Sequence, residues 1–203
     1  MKKVLVVTAN PKPTDASYTL RLTEAFLTAY AKRHPDDRIE RLDLYAVDIP
    51  FIDSTVFSAW GKTENHTPAE LKLVGRMNEL LDQFLAADKV ILAAPMWNFL
   101  FPPMVKAYID NLVIAGKTFS YTETGPVGLL SDKPILLIQA RGGLYQEIPF
   151  STFDHATPYL KHVFGFLGIQ NFHTLVCEGT NMGLGDASFD VALSQLDALT
   201  AKF

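Results

Sequence analysis

Three short apolar runs constrain this chain more than anything else in it. Lys3–Thr8, Lys89–Ala94 and Pro134–Ala140 are continuous stretches rich in Val, Ile and Leu that do not alternate with polar residues. A strand that buries both faces requires such a run, and strands of that kind belong to parallel sheets covered by helices. Parallel neighbours need long crossovers, and the residues between the runs supply them. Leu22, Ala25, Phe26 and Ala29 recur at helical spacing, which predicts a helix from Ser17 to Arg33, ended by His34-Pro35-Asp36-Asp37. Thr67-Pro68-Ala69-Glu70 combines an N-cap, a proline at the first helical position and a glutamate placed for a capping box, so a second helix should run to about Ala87. Further helices are expected over Pro102–Ala115, Asp154–Leu167 and Asp186–Ala201, the last with Asp186 as its N-cap.

Arg38–Leu44 alternates polar and apolar residues, as an edge strand does, and Phe172–Cys177 reads as the last strand. Lys117–Leu130 is rich in turn residues and suits a hairpin. A long irregular stretch to about Asn65 leaves Phe51, Phe57 and Trp60 as candidates for binding. Five strands alternating with helices predict an α/β doubly wound, five-stranded parallel sheet with helices on both faces. The 203 residues, 48% of them apolar, suit one large domain, and no repeat or break in composition marks a second.

A net charge of -4 without any Lys/Arg run argues against nucleic acid and membrane surfaces as partners. Met1-Lys2-Lys3 and the apolar residues after it imitate a signal peptide, but the run stops at Thr8-Ala9-Asn10-Pro11 and is better explained as a first strand. No apolar stretch approaches the roughly 20 residues that span a bilayer, so a cytoplasmic protein is expected. Cys177 is the only cysteine and reads as a small core residue. His34, His66, His155, His162 and His173 have no metal-ligand spacing, so no metal site is expected.

In open parallel sheets ligands bind beyond the carboxyl ends of the strands, so three segments matter. The loop Asn10–Thr19 carries hydroxyls and an amide into a helix start, which suits a phosphate monoester and equally a plain Ser17 cap. It is not a Walker A loop, and Gly183-Leu184-Gly185 lacks the third glycine of a dinucleotide fingerprint. Pro95-Met96-Trp97-Asn98-Phe99 places large apolar side chains around one amide, which fits a flat aromatic ring with polar edges, or a core loop. Arg141-Gly142-Gly143 lets backbone N–H groups approach a ligand closely, or simply makes a turn. The three segments converge at one end of one sheet.

With those segments in place, the chain resembles the flavodoxin-like FMN-dependent NADH-azoreductases, grouped with the NAD(P)H quinone reductases, over nearly its whole length. The specific matches are Ala94–Phe99, Thr118–Pro126 and Arg141-Gly142-Gly143, supported by Thr157–Leu160 and Phe164–Ile169. The resemblance implies FMN, with its phosphate on Asn10, Ser17, Tyr18 and Thr19, its ring against Pro95, Met96, Trp97, Asn98 and Phe99, and Arg141, Gly142 and Gly143 at the pyrimidine edge. It implies NADH as donor, with NADPH left open, and azo compounds and quinones as acceptors in a ping-pong cycle carried by the flavin. A homodimer is implied as well. Tyr121, Phe99 and Phe172 are expected to wall the acceptor pocket. Asn10 and Ala140 stand where the family often has serine, each one hydroxyl fewer toward the flavin. The rival readings are a flavodoxin-type FMN electron carrier serving protein partners and a hydrolase built on Ser17, Asp154 and His162. The second lacks a nucleophile elbow.

Overall fold

In a computed structural model describing residues 1–203, the strands are β1 (Lys3–Thr8), β2 (Arg38–Asp43), β3 (Lys89–Ala93), β4 (Phe119–Thr122), β5 (Gly125–Gly128), β6 (Ile135–Ala140) and β7 (Phe172–Cys177). The helices are α1 (Tyr18–Arg33), α2 (Ser54–Trp60), α3 (Pro68–Leu85), α4 (Pro103–Leu112), α5 (Ala156–Phe166), α6 (Gly185–Ser194) and α7 (Leu196–Lys202). Five strands form one parallel sheet in the order β2-β1-β3-β6-β7, while β4 and β5 make a separate antiparallel hairpin.

The lack of alternation in the central runs now has its cause. Leu5, Val7, Val90, Leu92, Ile135 and Leu137 face a core completed by α3, α4 and α5. Val4, Val6, Ile91, Leu136, Ile138 and Leu175 face a second core completed by α1, α6 and α7. Every central strand is apolar on both faces because both are covered, each buried Leu or Val stabilising by roughly 1.5–3 kcal/mol. Cys177 ends β7 in the second core, fully buried, with its thiol 3.5 Å from the Gly185 carbonyl oxygen, and burial pushes its pKa up. No helix is long and apolar enough to cross a membrane.

Three local expectations are corrected. The stretch before Asn65 contains α2, started by Asp53, whose carboxylate accepts from the N–H groups of Thr55 (2.9 Å) and Val56 (3.0 Å). Only Val56 and Ala59 of this helix are buried, too few positions to show a period in sequence. The closing helix is two, α6 and α7. They join at Gln195, whose N–H reaches back to the Ala192 carbonyl in a tightened turn. The bend brings Phe203 edge-on to Phe26 (5.7 Å) and Tyr30 (5.9 Å). Asp186 does not cap α6; it sits in the first turn and accepts the Tyr18 hydroxyl at 2.8 Å.

The capping box at Thr67 forms in full, and its glutamate does more than cap. Glu70, 4% exposed, accepts from Lys62 Nζ (2.6 Å), Ser58 Oγ (2.7 Å) and the Thr67 N–H (2.7 Å), which ties α2 to α3. Lys62 first, then the other donors, lower its pKa from 4.5 to about 2. A carboxylate whose folded pKa lies below its unfolded one contributes stability that is complete above the unfolded value and lost as pH falls through the folded one. Glu70→Gln should therefore melt lower than the parent at neutral pH, and the difference should close between about pH 4.5 and 2. Denaturant titrations across that range check it; a pH-independent gap would refute the charge argument.

Candidate active site

A hollow of about 240 Å³ opens beyond the carboxyl ends of β1, β3, β6 and β7. Its wall comes from the loop after β1 (Asn10, Lys12, Ala16 to Thr19), the turn after β3 (Pro95, Met96, Trp97), the end of β6 (Ala140, Gly142) and the loop after β7 (Thr180, Asn181). A larger cleft of about 650 Å³ lies between α1 and α7, away from the strand ends, and one of about 600 Å³ lies behind the glycine turn against Arg141, Tyr145 and Val176 without reaching the loops after β1 and β3. The smaller hollow is the one that doubly wound topology marks as a ligand site.

At one end, Ser17 begins α1. Its backbone is extended, and its Oγ accepts from the Leu20 N–H (3.2 Å) and from Asn10 Nδ2 (2.7 Å). Asn10 thus replaces a hydroxyl with an amide that orients Ser17. The N–H groups of Tyr18 and Thr19 have no partner within the protein. Two free donors at the positive end of a 16-residue helix favour an anion there. Lys12 is the only charged residue in the wall, and it is a cation. Thr19 Oγ1 is engaged elsewhere, accepting from the Ala140 N–H at 3.0 Å and locking the loop to β6. The Tyr18 ring leans on Phe189, and its hydroxyl, held above its ordinary pKa by the bond to Asp186, points away to α6. Tyr18 therefore offers its backbone to the site.

The turn after β3 is held by reciprocal hydrogen bonds between Trp97 and Leu100, at 2.8 and 2.9 Å. Closing it puts Asn98 (φ 48) and Phe99 (φ 68) in the left-handed region, which costs roughly 1–3 kcal/mol per non-glycine residue and accumulates at functional sites. Pro95, Met96 and Trp97 line the hollow, while Asn98 and Phe99 do not. Phe99 packs against Phe153 (5.3 Å) and Tyr145 (6.1 Å), and its carbonyl accepts from the His155 N–H at 3.0 Å.

The turn after β6 departs from expectation. Gly142 lines the hollow, and a Cβ on it would come within 2.6 Å of Asn181 Nδ2, so a larger residue there would displace that amide from the wall. Gly143 follows outside the wall, against the Tyr145 ring. Arg141 does not face the hollow. Its guanidinium, 3% exposed, is turned behind the turn toward Glu178 and Asp154. Two wall residues, Thr180 and Asn181, were not legible in sequence: they come from a loop that carries no motif, fastened to the glycine turn by Thr180 N–H to Arg141 O (3.1 Å) and Asn181 N–H to Gly142 O (3.0 Å).

Of the expected acceptor walls, Tyr121, on the hairpin, and Phe99 are both exposed, and neither lines the hollow. Phe172 is a correction. It opens β7, paired with Ile135 at the amino end of β6, and packs on Phe164 at 6.3 Å, so it sits at the opposite end of the sheet from the hollow. The aromatic residue beside Tyr121 is Phe119, at 5.3 Å, and Phe119 in turn meets Phe166 at 4.9 Å. The hydrolase trio is also dispersed: Ser17 lines the hollow, whereas Asp154 is paired with Arg141 and His162 borders a different cleft.

The residues present fit a phosphorylated flat-ring cofactor: a helix start with two unused N–H donors, one cation, and apolar side chains beside a glycine turn. A family model described as flavodoxin-like fold matches residues 2–199. The FMN-dependent NADH:quinone oxidoreductase 3 of Halalkalibacterium halodurans is 48% identical over 185 residues, 88% of each chain. The solved azoreductase from Bacillus anthracis str. Sterne is 39% identical with a TM-score of 0.93, over 100% of both chains. The FMN-dependent NADH-azoreductase from Bacillus anthracis str. Ames Ancestor, solved in complex with FMN, is 35% identical with a TM-score of 0.94, over 100% of this chain and 99% of that one.

Proposed function

Because this chain belongs to the family of flavodoxin-like fold proteins, we propose that it is an FMN-dependent oxidoreductase taking hydride from NADH and reducing quinones and azo compounds. The observation that carries the reading is the convergence, in one hollow, of the unpartnered Tyr18 and Thr19 N–H groups, the Met96-Trp97 turn and Gly142. Relatives named for this activity, 46–49% identical to the chain, support it.

When bound, FMN supplies the two-electron chemistry between a nicotinamide donor and a quinone or azo acceptor. The protein supplies position. Tyr18 and Thr19 N–H groups, Ser17 and Lys12 would hold the phosphate; Pro95, Met96 and Trp97 would hold the ring system; the Gly142 backbone N–H would be a donor for negative charge on its polar edge. No side chain is assigned as an acid or base. Phe99 and Tyr121 select the acceptor.

The active form is a homodimer in the cytoplasm, on this reading. Tyr121, 75% exposed on the β4–β5 hairpin, projects from its own subunit and would complete the site of a second copy. Exposed Phe57 and Trp60, packed edge to face at 6.0 Å on α2, suit the same contact.

Anaerobic addition of NADH to the FMN-loaded protein should bleach the visible flavin band, and menadione or an azo dye should restore it, with parallel double-reciprocal plots for a ping-pong cycle. A flavin that stays oxidised under NADH would favour the carrier reading instead. Failure to bind FMN would end both.

A further inference from the structure

We propose that Arg141, rather than contacting the cofactor, is the positioning residue that sets the two walls of the hollow in register. This rests on the flavin reading above. Four hydrogen bonds satisfy its guanidinium: Nε to Gln139 Oε1 (2.9 Å), one terminal nitrogen to Glu178 Oε1 (3.1 Å), and the other to Asp154 Oδ2 (2.8 Å) and Thr157 Oγ1 (2.9 Å). Each carboxylate passes the constraint on. Glu178 Oε1 also accepts the Tyr145 N–H at 3.0 Å, and the Tyr145 ring meets Phe99 and the Gly143 backbone. Asp154 Oδ1 accepts the Thr157 N–H at 3.0 Å, fixing the start of α5, where the next residue, His155, donates to the Phe99 carbonyl. The Arg141 carbonyl accepts both the N–H and Oγ1 of Thr180, at 3.1 Å each.

One buried cation thus joins the glycine turn, the left-handed Asn98-Phe99 turn and the loop carrying Thr180 and Asn181. A buried charge with two partners is weak support for stability, since apolar replacements of similar volume often do as well. What a planar fork of five donors does that an apolar side chain cannot is hold two carboxylates at fixed angles. The cluster's purpose is therefore geometric, and Lys, a point charge, cannot substitute for it.

Arg141→Lys should separate this role from a structural one. In the apoprotein, the amides of Tyr145, His155 and Thr157 should exchange hydrogen at least about tenfold faster than in the parent, while β1 and β3 amides keep their protection. FMN dissociation constants, read by fluorescence quenching, should rise by about tenfold or more, consistent with loss of preorganisation. If Arg141→Lys does not fold, Arg141→Met combined with Asp154→Asn and Glu178→Gln removes all three charges at near-constant volume. It should show the same local exchange and weakened FMN binding. Unchanged exchange at the three amides, or a uniform loss across the sheet, would overturn the proposal. The exchange arm needs no flavin. If the parent binds no FMN, the flavin reading fails while the exchange result still decides whether Arg141 sets these loops.

Discussion

Ser17→Asp abolishes FMN binding at working concentrations and leaves α1 intact. Aspartate caps helices as well as serine does, so the Leu20 N–H and the Asn10 amide keep an acceptor. The new charge, however, lies beside the unpartnered Tyr18 and Thr19 N–H groups, where a phosphate would sit. Like charges forced together cost several kcal/mol, so the FMN dissociation constant should rise by at least about a hundredfold. Riboflavin, which lacks the phosphate and so never meets the new charge, should bind both proteins within about threefold of each other, a difference of about 0.65 kcal/mol. Paired titrations of the two flavins, with circular dichroism to confirm the fold, make the measurement. An FMN affinity within tenfold of the parent would place the phosphate elsewhere.

The second large effect concerns the hairpin. A Cβ on Gly128 would lie 2.2 Å from the Leu167 carbonyl carbon and 2.4 Å from the Gly168 nitrogen, both backbone atoms at the end of α5. Backbone cannot yield as a flexible side chain can, so Gly128→Val must lift the hairpin and break the Leu130 N–H to Leu167 carbonyl bond, now 3.0 Å. Overpacking of this kind costs about 3 kcal/mol, equivalent to a fall of roughly 6–12 °C in melting temperature for a chain of this size. The same movement unseats Phe119, Tyr121 and Phe166 together. FMN affinity should hold, since the hollow uses other loops, while the acceptor KM rises. Calorimetry and acceptor kinetics check this; a melting temperature within about 2 °C of the parent would reject the clash.

How far these residues could be read beforehand depended on whether their signals were local. The central strands declare themselves because both faces are buried, and Thr67-Pro68-Ala69-Glu70 because a cap is written in consecutive residues. Where the Ser17 loop and the Trp97 turn lie follows from the rule that ligands sit beyond the carboxyl ends of parallel strands. What sequence could not carry was side-chain direction and pairing across long separations. Arg141 adjoins a glycine turn, yet its partners Asp154 and Glu178 lie 13 and 37 residues away and draw it from the hollow. Asn181 reaches the wall through backbone pairing with Gly142, 39 positions earlier, which no spacing rule records. Phe166 ends α5 and Phe172 opens β7, both apolar residues at an element boundary; only the register of β7 against β6 sends the second to the far end of the sheet.

The placement of Cys177 bears on survival of the catalyst. Quinones are electrophiles as well as oxidants, and they arylate accessible thiolates. The chain's single sulfhydryl is sealed in the core at the end of β7, and burial keeps it protonated at neutral pH. Under the proposed function, a protein without an exposed thiolate would not be titrated away by the quinones it reduces.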